Sequence, residues 1–143
     1  MDYVVKKSIT IKALPAQVWD ALTNPEKTKE YFFKCKVASD WKEGSKITFK
    51  GKMFWIVPIK LTGKILAIEP EKLLQYSLRN ASDKQGKTSS TVTDKLTYQN
   101  GETTLSITDD VGEGDDAEKR YKRSKKGWDK ILKGLKKLVE KSE

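Results

Sequence analysis

Histidine is absent from the 143 residues, and cysteine occurs once, at Cys35. The first absence removes the usual general base near neutral pH and the commonest transition-metal ligand. Together the two exclude zinc sites, Ser-His-Asp triads and Cys-His pairs, and no internal disulfide can form. No P-loop or Rossmann glycine pattern is present either, so neither metal nor cofactor is expected. The single thiol fits a reducing, cytoplasmic setting. Lys34 and Lys36 flank it and could lower its pKa, against the plainer reading of an inert thiol. No apolar run approaches the roughly 18 residues of a membrane span, and Met1-Asp2-Tyr3 lacks the basic and oily regions of a signal peptide. With only carboxylates, Lys and Tyr left for acid–base work, the expectation is a protein that is not an enzyme and has no catalytic residues.

A chain of this length forms one domain, residues 1–143, and buries about two-thirds of its unfolded surface. Its net charge of +9 is concentrated. Lys119 to Lys141 contains eleven Lys or Arg against Asp129 and Glu140, so one segment carries the whole excess. Such a face steers toward an acidic protein or an anionic lipid; the plainer reading is a solvated helix back. Nucleic acid is disfavoured, because no aromatics interleave with the basic residues and no nucleic-acid motif appears.

That segment also carries the clearest periodicity. From Gly114 to Ser142 the residues Tyr121, Trp128, Ile131, Leu132, Leu135, Leu138 and Val139 fall on one side of a helix. Gly127 and Gly134 edge this stripe at about 1 kcal/mol each against alanine, which calls for close approach to another surface, expected to be a sheet. Asp115 and Glu118 have capping-box spacing at its start.

Upstream, Val5, Ile9 and Ile11 alternate with Ser8 and Thr10 as in a strand, and Lys7 shares the apolar face. Leu14-Pro15 opens a short helix with Val18, Trp19 and Leu22 as its oily side, and Asn24-Pro25 starts a second through Tyr31. Strands follow. Met53 to Ile59 is an unbroken apolar run in which Pro58 argues for an edge or strand end; it reads either as one strand buried on both faces under a partner chain, or as an oily lip at the cavity mouth where a hydrophobic ligand or a homodimer partner docks. Leu61 to Glu69 is the next strand, and Leu74, Tyr76 and Leu78 alternate with Gln75, Ser77 and Arg79. Ala81 to Ser90 reads as a loop. Asn100-Gly101 joins a strand bearing Val92, Leu96 and Tyr98 to one bearing Leu105 and Ile107, the strongest hairpin signal in the chain. Asp109 to Asp116 reads as an acidic loop. An antiparallel sheet wrapped on one face around a long final helix, an α+β arrangement, follows from this order.

Four stretches then resemble a known family. They are Pro15-Ala16-Gln17-Val18-Trp19-Asp20-Ala21-Leu22-Thr23-Asn24-Pro25-Glu26, Asp40-Trp41-Lys42-Glu43-Gly44-Ser45-Lys46-Ile47, Gly63 to Leu73, and Gly127 to Leu135. In this order they are similar to the activator-of-heat-shock-chaperone-ATPase homologue family, within the START-like, Bet v 1-like (SRPBCC) superfamily. The resemblance implies the helix-grip fold, two short helices after the first strand, and an apolar cavity that carries or senses hydrophobic small molecules. Tyr31-Phe32-Phe33 stands where relatives often have paired tryptophan. Chaperone activators of this family carry a further N-terminal domain that makes the main chaperone contact; a chain read as beginning with the present domain is expected to bind ligand rather than to activate a chaperone.

The expected binding residues are Trp19, Phe49, Tyr76, Val92, Trp128, Ile131 and Leu135 as apolar lining, with Asp94 and Ser124 as polar groups that orient the ligand. Asp94 sits on the inward face by alternation with Val92 and Leu96, as Lys7 does in its own strand and Arg120 on the helix; such groups need a partner or reach solvent. Ser124 hydrogen-bonds either a ligand or its own preceding carbonyl. Trp19, Trp41, Trp55 and Trp128 line a pocket or simply fill the core, with Trp128 foremost because it adjoins the glycines. The partner is a hydrophobic or amphipathic small molecule, lipid-like or aromatic. The alternative is an interaction module, a chaperone-linked or stress-response adaptor, in which Lys126, Lys130, Lys133 and Lys137 meet an acidic protein.

Overall fold

The computed structural model describes residues 3–53, 57–85, 87, 89–114 and 116–141. Its elements are β1 (Val4–Ile11), α1 (Pro15–Thr23), α2 (Pro25–Tyr31), β2 (Lys36–Ser39), β3 (Lys46–Met53), β4 (Val57–Glu69), β5 (Leu73–Asn80), β6 (Ser90–Gln99), β7 (Glu102–Asp110) and α3 (Ala117–Lys141). The strands form one antiparallel sheet in the order β1-β7-β6-β5-β4-β3-β2. A register shift between Ile65 and Ala67 marks a bulge where β4 pairs with β5; an extra residue there bends the strand and adds to the curvature that lets the sheet wrap α3. This is the helix-grip fold.

Local chemistry explains each element. In β1, Val5 and Ile11 are buried and Ile9 half-buried, while Ser8 and Thr10 face water, as period-two alternation requires. The β6–β7 hairpin closes through Asn100 at φ 53° and Gly101 at φ 81°, with Gln99 opposite Glu102, the two left-handed residues of a tight hairpin turn. Pro15 begins α1, where the Gln17 side chain accepts the Leu14 N–H at 2.8 Å. Asn24 caps α2 by accepting the Glu26 N–H at 3.0 Å. The Tyr31 hydroxyl donates to the Ala21 carbonyl at 2.7 Å and ties the two short helices together.

Helix α3 buries Trp128, Ile131, Leu132, Leu135 and Val139, each worth about 2 kcal/mol in area removed from water. Tyr121 and Leu138 are half-buried at the stripe's margins. The helix runs alongside β1 in the same direction. Tyr121 meets Tyr3, with ring centroids 5.9 Å apart. Lys7 pairs with Asp129 at 2.9 Å, and the Lys12 N–H reaches Glu140 at 2.8 Å.

Several sequence expectations are corrected. The helix begins at Ala117 rather than Gly114, whose φ of 116° is not helical; Asp115 of the expected capping box lies outside the described residues. The two helix glycines do not face the sheet. A Cβ at Gly134 would stand 3.0 Å from the Tyr31 Cβ, and one at Gly127 would stand 3.6 Å from the Phe33 ring. It is α2 and the turn after it that wedge against α3. The apolar run from Met53 is two strands, since Met53 ends β3 opposite Val57, which opens β4. Phe54, Trp55 and Ile56, the middle of the proposed dimer contact, lie outside the described residues. Strand β4 is interior, yet its pairing with β5 begins at Leu61, so among the described residues Pro58 has a partner strand, β3, on one side. Asp109 and Asp110 belong to β7 rather than to a loop.

Candidate functional site

A cleft of about 590 Å³ lies between the N-terminal half of α3 and one end of the sheet. That end gathers the start of β4, the end of β5, the start of β6 and the end of β7, which antiparallel order places side by side. Phe32, Phe33, Leu61, Leu78, Val92 and Ile131 give it apolar walls. From the helix, Arg120, Ser124, Gly127, Trp128 and Ile131 face it at three- and four-residue spacing, one stripe of the wheel. Arg79, Arg120 and Arg123 stand among the lining residues as its cations.

The polar centre of the cleft is Asp109, only 6% exposed. Its Oδ2 accepts the Ser124 hydroxyl at 2.5 Å and the Trp128 indole N–H at 2.8 Å. Its Oδ1, also buried, has no hydrogen-bond partner among the described residues. An unmet buried acceptor costs about 1–3 kcal/mol, more when charged, and marks a place where a donor is missing. Alternation from Leu105 and Ile107 turns Asp109 inward, opposite Val92 of β6.

Asp94 sits one step deeper, opposite Ile107 on the same face. It is buried, its Oδ1 lacks a partner among the described residues, and its pKa is pushed up to about 7, first by burial and then by the charge of Asp109. Burial, and then Asp94, push the Tyr31 and Tyr76 phenols far up as well.

Of the expected site residues, Val92, Ser124, Trp128 and Ile131 line the cleft. The other five do not. Phe49 stacks behind Phe32, centroids 4.5 Å apart, and Tyr76 packs behind Phe49 at 5.9 Å. Asp94 is buried and does not stand among the residues that line the cleft. Trp19 is half-buried on α1, against the core. Leu135 is fully buried in the C-terminal half of α3, below the cleft. Ser124 donates to Asp109 rather than to its own preceding carbonyl. Asp109 itself was missed: extending the Leu105 and Ile107 alternation by two residues finds it, but the acidic run around it reads as loop.

Phe32, Phe33 and Cys35 reach the cleft from the turn after α2, where Phe33 and Lys34 adopt left-handed φ of 49° and 60°. Gly51 of β3 makes that turn possible, since a Cβ there would stand 2.6 Å from the Lys34 carbonyl oxygen. The adjoining lysines do not activate Cys35; burial pushes its thiol pKa up. Lys7 satisfies its charge on Asp129, and Arg120 donates to the carbonyls of Val111 and Glu113. Among the described residues, no three acidic or cysteine side chains gather as a metal cluster, and no helix is long and apolar enough to cross a membrane.

Known proteins share this architecture. ChR145 from Cytophaga hutchinsonii is 34% identical, with a TM-score of 0.77 over 97% of this chain and 94% of that one. MLL2253 from Mesorhizobium loti is 26% identical, with a TM-score of 0.80 over 98% of both chains. CalU16 from Micromonospora echinospora, at 22% identity and a TM-score of 0.73 over 95% of this chain and 75% of that one, shares the fold. Among curated proteins, none matches the chain. Residues 12–140 match the family model described as Activator of Hsp90 ATPase homolog 1-like protein. By that match and by this fold, the chain belongs to the Activator of Hsp90 ATPase homolog 1-like family, within the START-like (SRPBCC) superfamily.

Proposed function

We propose that the protein binds a hydrophobic or amphipathic small molecule in the cleft between its sheet and α3, without transforming it. The observation that carries this reading is the set of apolar walls, Phe32, Phe33, Leu61, Leu78, Val92 and Ile131, around some 590 Å³. Volumes of 300–1,000 Å³ with a few placed polar groups are the usual form of a small-molecule site. The sequence has no histidine, and among the described residues lining the cleft no acid is paired with a general base, which supports binding over catalysis.

Native mass spectrometry with naphthalene-sized apolar probes tests the proposal. The wild type binds one equivalent, and Gly127→Leu, which places an isobutyl group beside Phe33, abolishes uptake while circular dichroism is unchanged. No probe retained by the wild type, or retention undiminished in Gly127→Leu, defeats it.

A second reading rests on the outer face of α3. Lys126, Lys130, Lys133 and Lys137 form an exposed stripe, and none has an ion-pair partner among the described residues. An acidic protein partner would bind there. Neutralising the four lysines abolishes such binding and spares ligand uptake, and rising ionic strength weakens it steeply, since screening acts within about 10 Å at 0.1 M. Salt-insensitive capture defeats this second reading.

A further inference from the structure

We infer that the outer face of α3 is a docking line for an anionic lipid bilayer, on which the protein adsorbs without inserting. The inference takes up the exposed lysines of the second reading above, names a different occupant for them, and is independent of what the cleft binds.

Position on the helix carries it. At about 100° per residue, Lys119, Arg123, Lys126, Lys130, Lys133 and Lys137 fall within a sector of roughly 80°, and every residue of α3 in that sector is Lys or Arg. All six are exposed, and none has an ion-pair partner among the described residues. They follow one another at spacings of three or four residues along about 27 Å of rod. The sector stands opposite the buried Trp128, Leu135 and Val139.

The three acids of the helix are kept out of this line. Glu118, Asp129 and Glu140 share one flank, within roughly 40° of one another, and each is already engaged. Glu118 holds Lys122 at 3.4 Å, Asp129 holds Lys7 of β1 at 2.9 Å, and Glu140 accepts the Lys12 N–H at 2.8 Å. A face built only for solubility intersperses the two signs, because like charges three or four residues apart oppose the helix. Here successive cations repel along the line, and an external anion relieves what the chain leaves uncompensated.

The chemistry of the line selects a bilayer over a folded acidic partner. Five of the six are lysines, compact hydrated charges on flexible stems without the fixed fork of arginine, and lysine is depleted from protein interfaces. No aromatic or aliphatic residue of α3 stands in the sector to anchor a protein contact. A rod laid on a plane touches it along a line, which is how these charges are arranged. Clusters of this kind are attracted to an anionic leaflet, each charge adding to the whole. The apolar stripe belongs to the core, so α3 adsorbs at the headgroups and does not enter the hydrocarbon.

Co-sedimentation with vesicles of phosphatidylcholine, alone or mixed with phosphatidylglycerol, tests this. The wild type sediments with the mixed vesicles at about 0.1 M salt and is released at about 1 M, where screening shortens to about 3 Å. It stays in solution with phosphatidylcholine alone. Lys126→Gln, Lys130→Gln, Lys133→Gln and Lys137→Gln together lower the partition coefficient more than about a hundredfold, at about fivefold per charge. Lys42→Gln, Lys60→Gln, Lys64→Gln and Lys95→Gln, at exposed positions outside α3, remove the same net charge and change it less than about threefold. Should the α3 variant lose its circular dichroism spectrum, Lys130→Gln alone, at about fivefold, takes its place. Equal losses in the two quadruple variants, or equal sedimentation with both vesicle types, overturn the docking line. Capture of poly-glutamate without sedimentation on mixed vesicles overturns it too, and leaves the acidic protein of the second reading in its place. Capture of neither defeats both.

Discussion

Asp94→Asn isolates the energetic consequence of placing a carboxyl on the buried inward face of the sheet. The folded protein holds this group's pKa at about 7 against an ordinary 3.8, with burial the larger cause and Asp109 the second. At 1.36 kcal/mol per unit, that displacement corresponds to about 4 kcal/mol. The sign follows from linkage. A folded pKa raised above the unfolded one means that the native state keeps a proton the unfolded chain has released. Native stability from this group is therefore intact below about pH 4, falls as pH rises through 7, and is level beyond. The substituted amide cannot ionise, so the variant lacks that slope while sharing every other titration with the wild type. Urea unfolding of both proteins at half-unit steps from pH 4 to 8 measures the difference between them. The variant gains on the wild type by up to about 1.4 kcal/mol per pH unit across this window, in total about 4 kcal/mol. Asp109→Asn removes the repulsive neighbour and shifts the upper edge of the window to lower pH. Parallel profiles for wild type and Asp94→Asn would refute the reasoning, because they would mean that position 94 releases its proton as readily folded as unfolded.

Other consequences are simpler. Gly127→Ala places a methyl at ordinary contact distance from Phe33 and removes the helix penalty of glycine, so it raises stability by about 1 kcal/mol in thermal melts. Gly134→Ala forces its methyl to 3.0 Å from Tyr31, which is itself fixed by its hydrogen bond to Ala21, so the gain is cancelled or reversed; equal gains at the two sites would contradict the packing described. Gly101→Ala puts a Cβ on a left-handed residue and costs about 1–2 kcal/mol in denaturant unfolding. Cys35, buried and with its pKa pushed up, reacts with an aromatic disulfide reagent at pH 7.5 far more slowly than the same thiol in urea, and comparable rates would count against its placement.

Much of the fold was legible in the sequence because its strongest signals are local. Asn100-Gly101 names its own turn, the Pro15 and Asn24-Pro25 starts name theirs, and the apolar stripe of α3 follows from spacing alone. What escaped depends on register and on neighbours distant in the chain. Whether Met53 to Ile59 is one strand or two turns on the pairing of Met53 with Val57, which composition does not show. That Gly134 was spared a side chain for Tyr31, rather than for the sheet, depends on how α2 docks. The site divides in the same way. Val92, Ser124, Trp128 and Ile131 reach the cleft by periodicity, whereas Phe49 and Tyr76 share that periodicity yet lie behind Phe32. Inward direction says nothing of depth. Asp109 was hidden by its company, since Asp110, Gly112, Glu113 and Gly114 make the segment look like a linker when its first two residues still belong to a strand.

The terminal helix divides its labour along its length. Its last three turns, around Leu135 and Val139, sit in solid packing against β1 and the two short helices, while its first half overlooks the hollow. Anchoring and the cleft therefore lie at opposite ends of one rod. Cleft-lining residues such as Arg123 and Gly127 can be exchanged while the anchoring end is left untouched, which lets the hollow be reshaped without unfolding the scaffold.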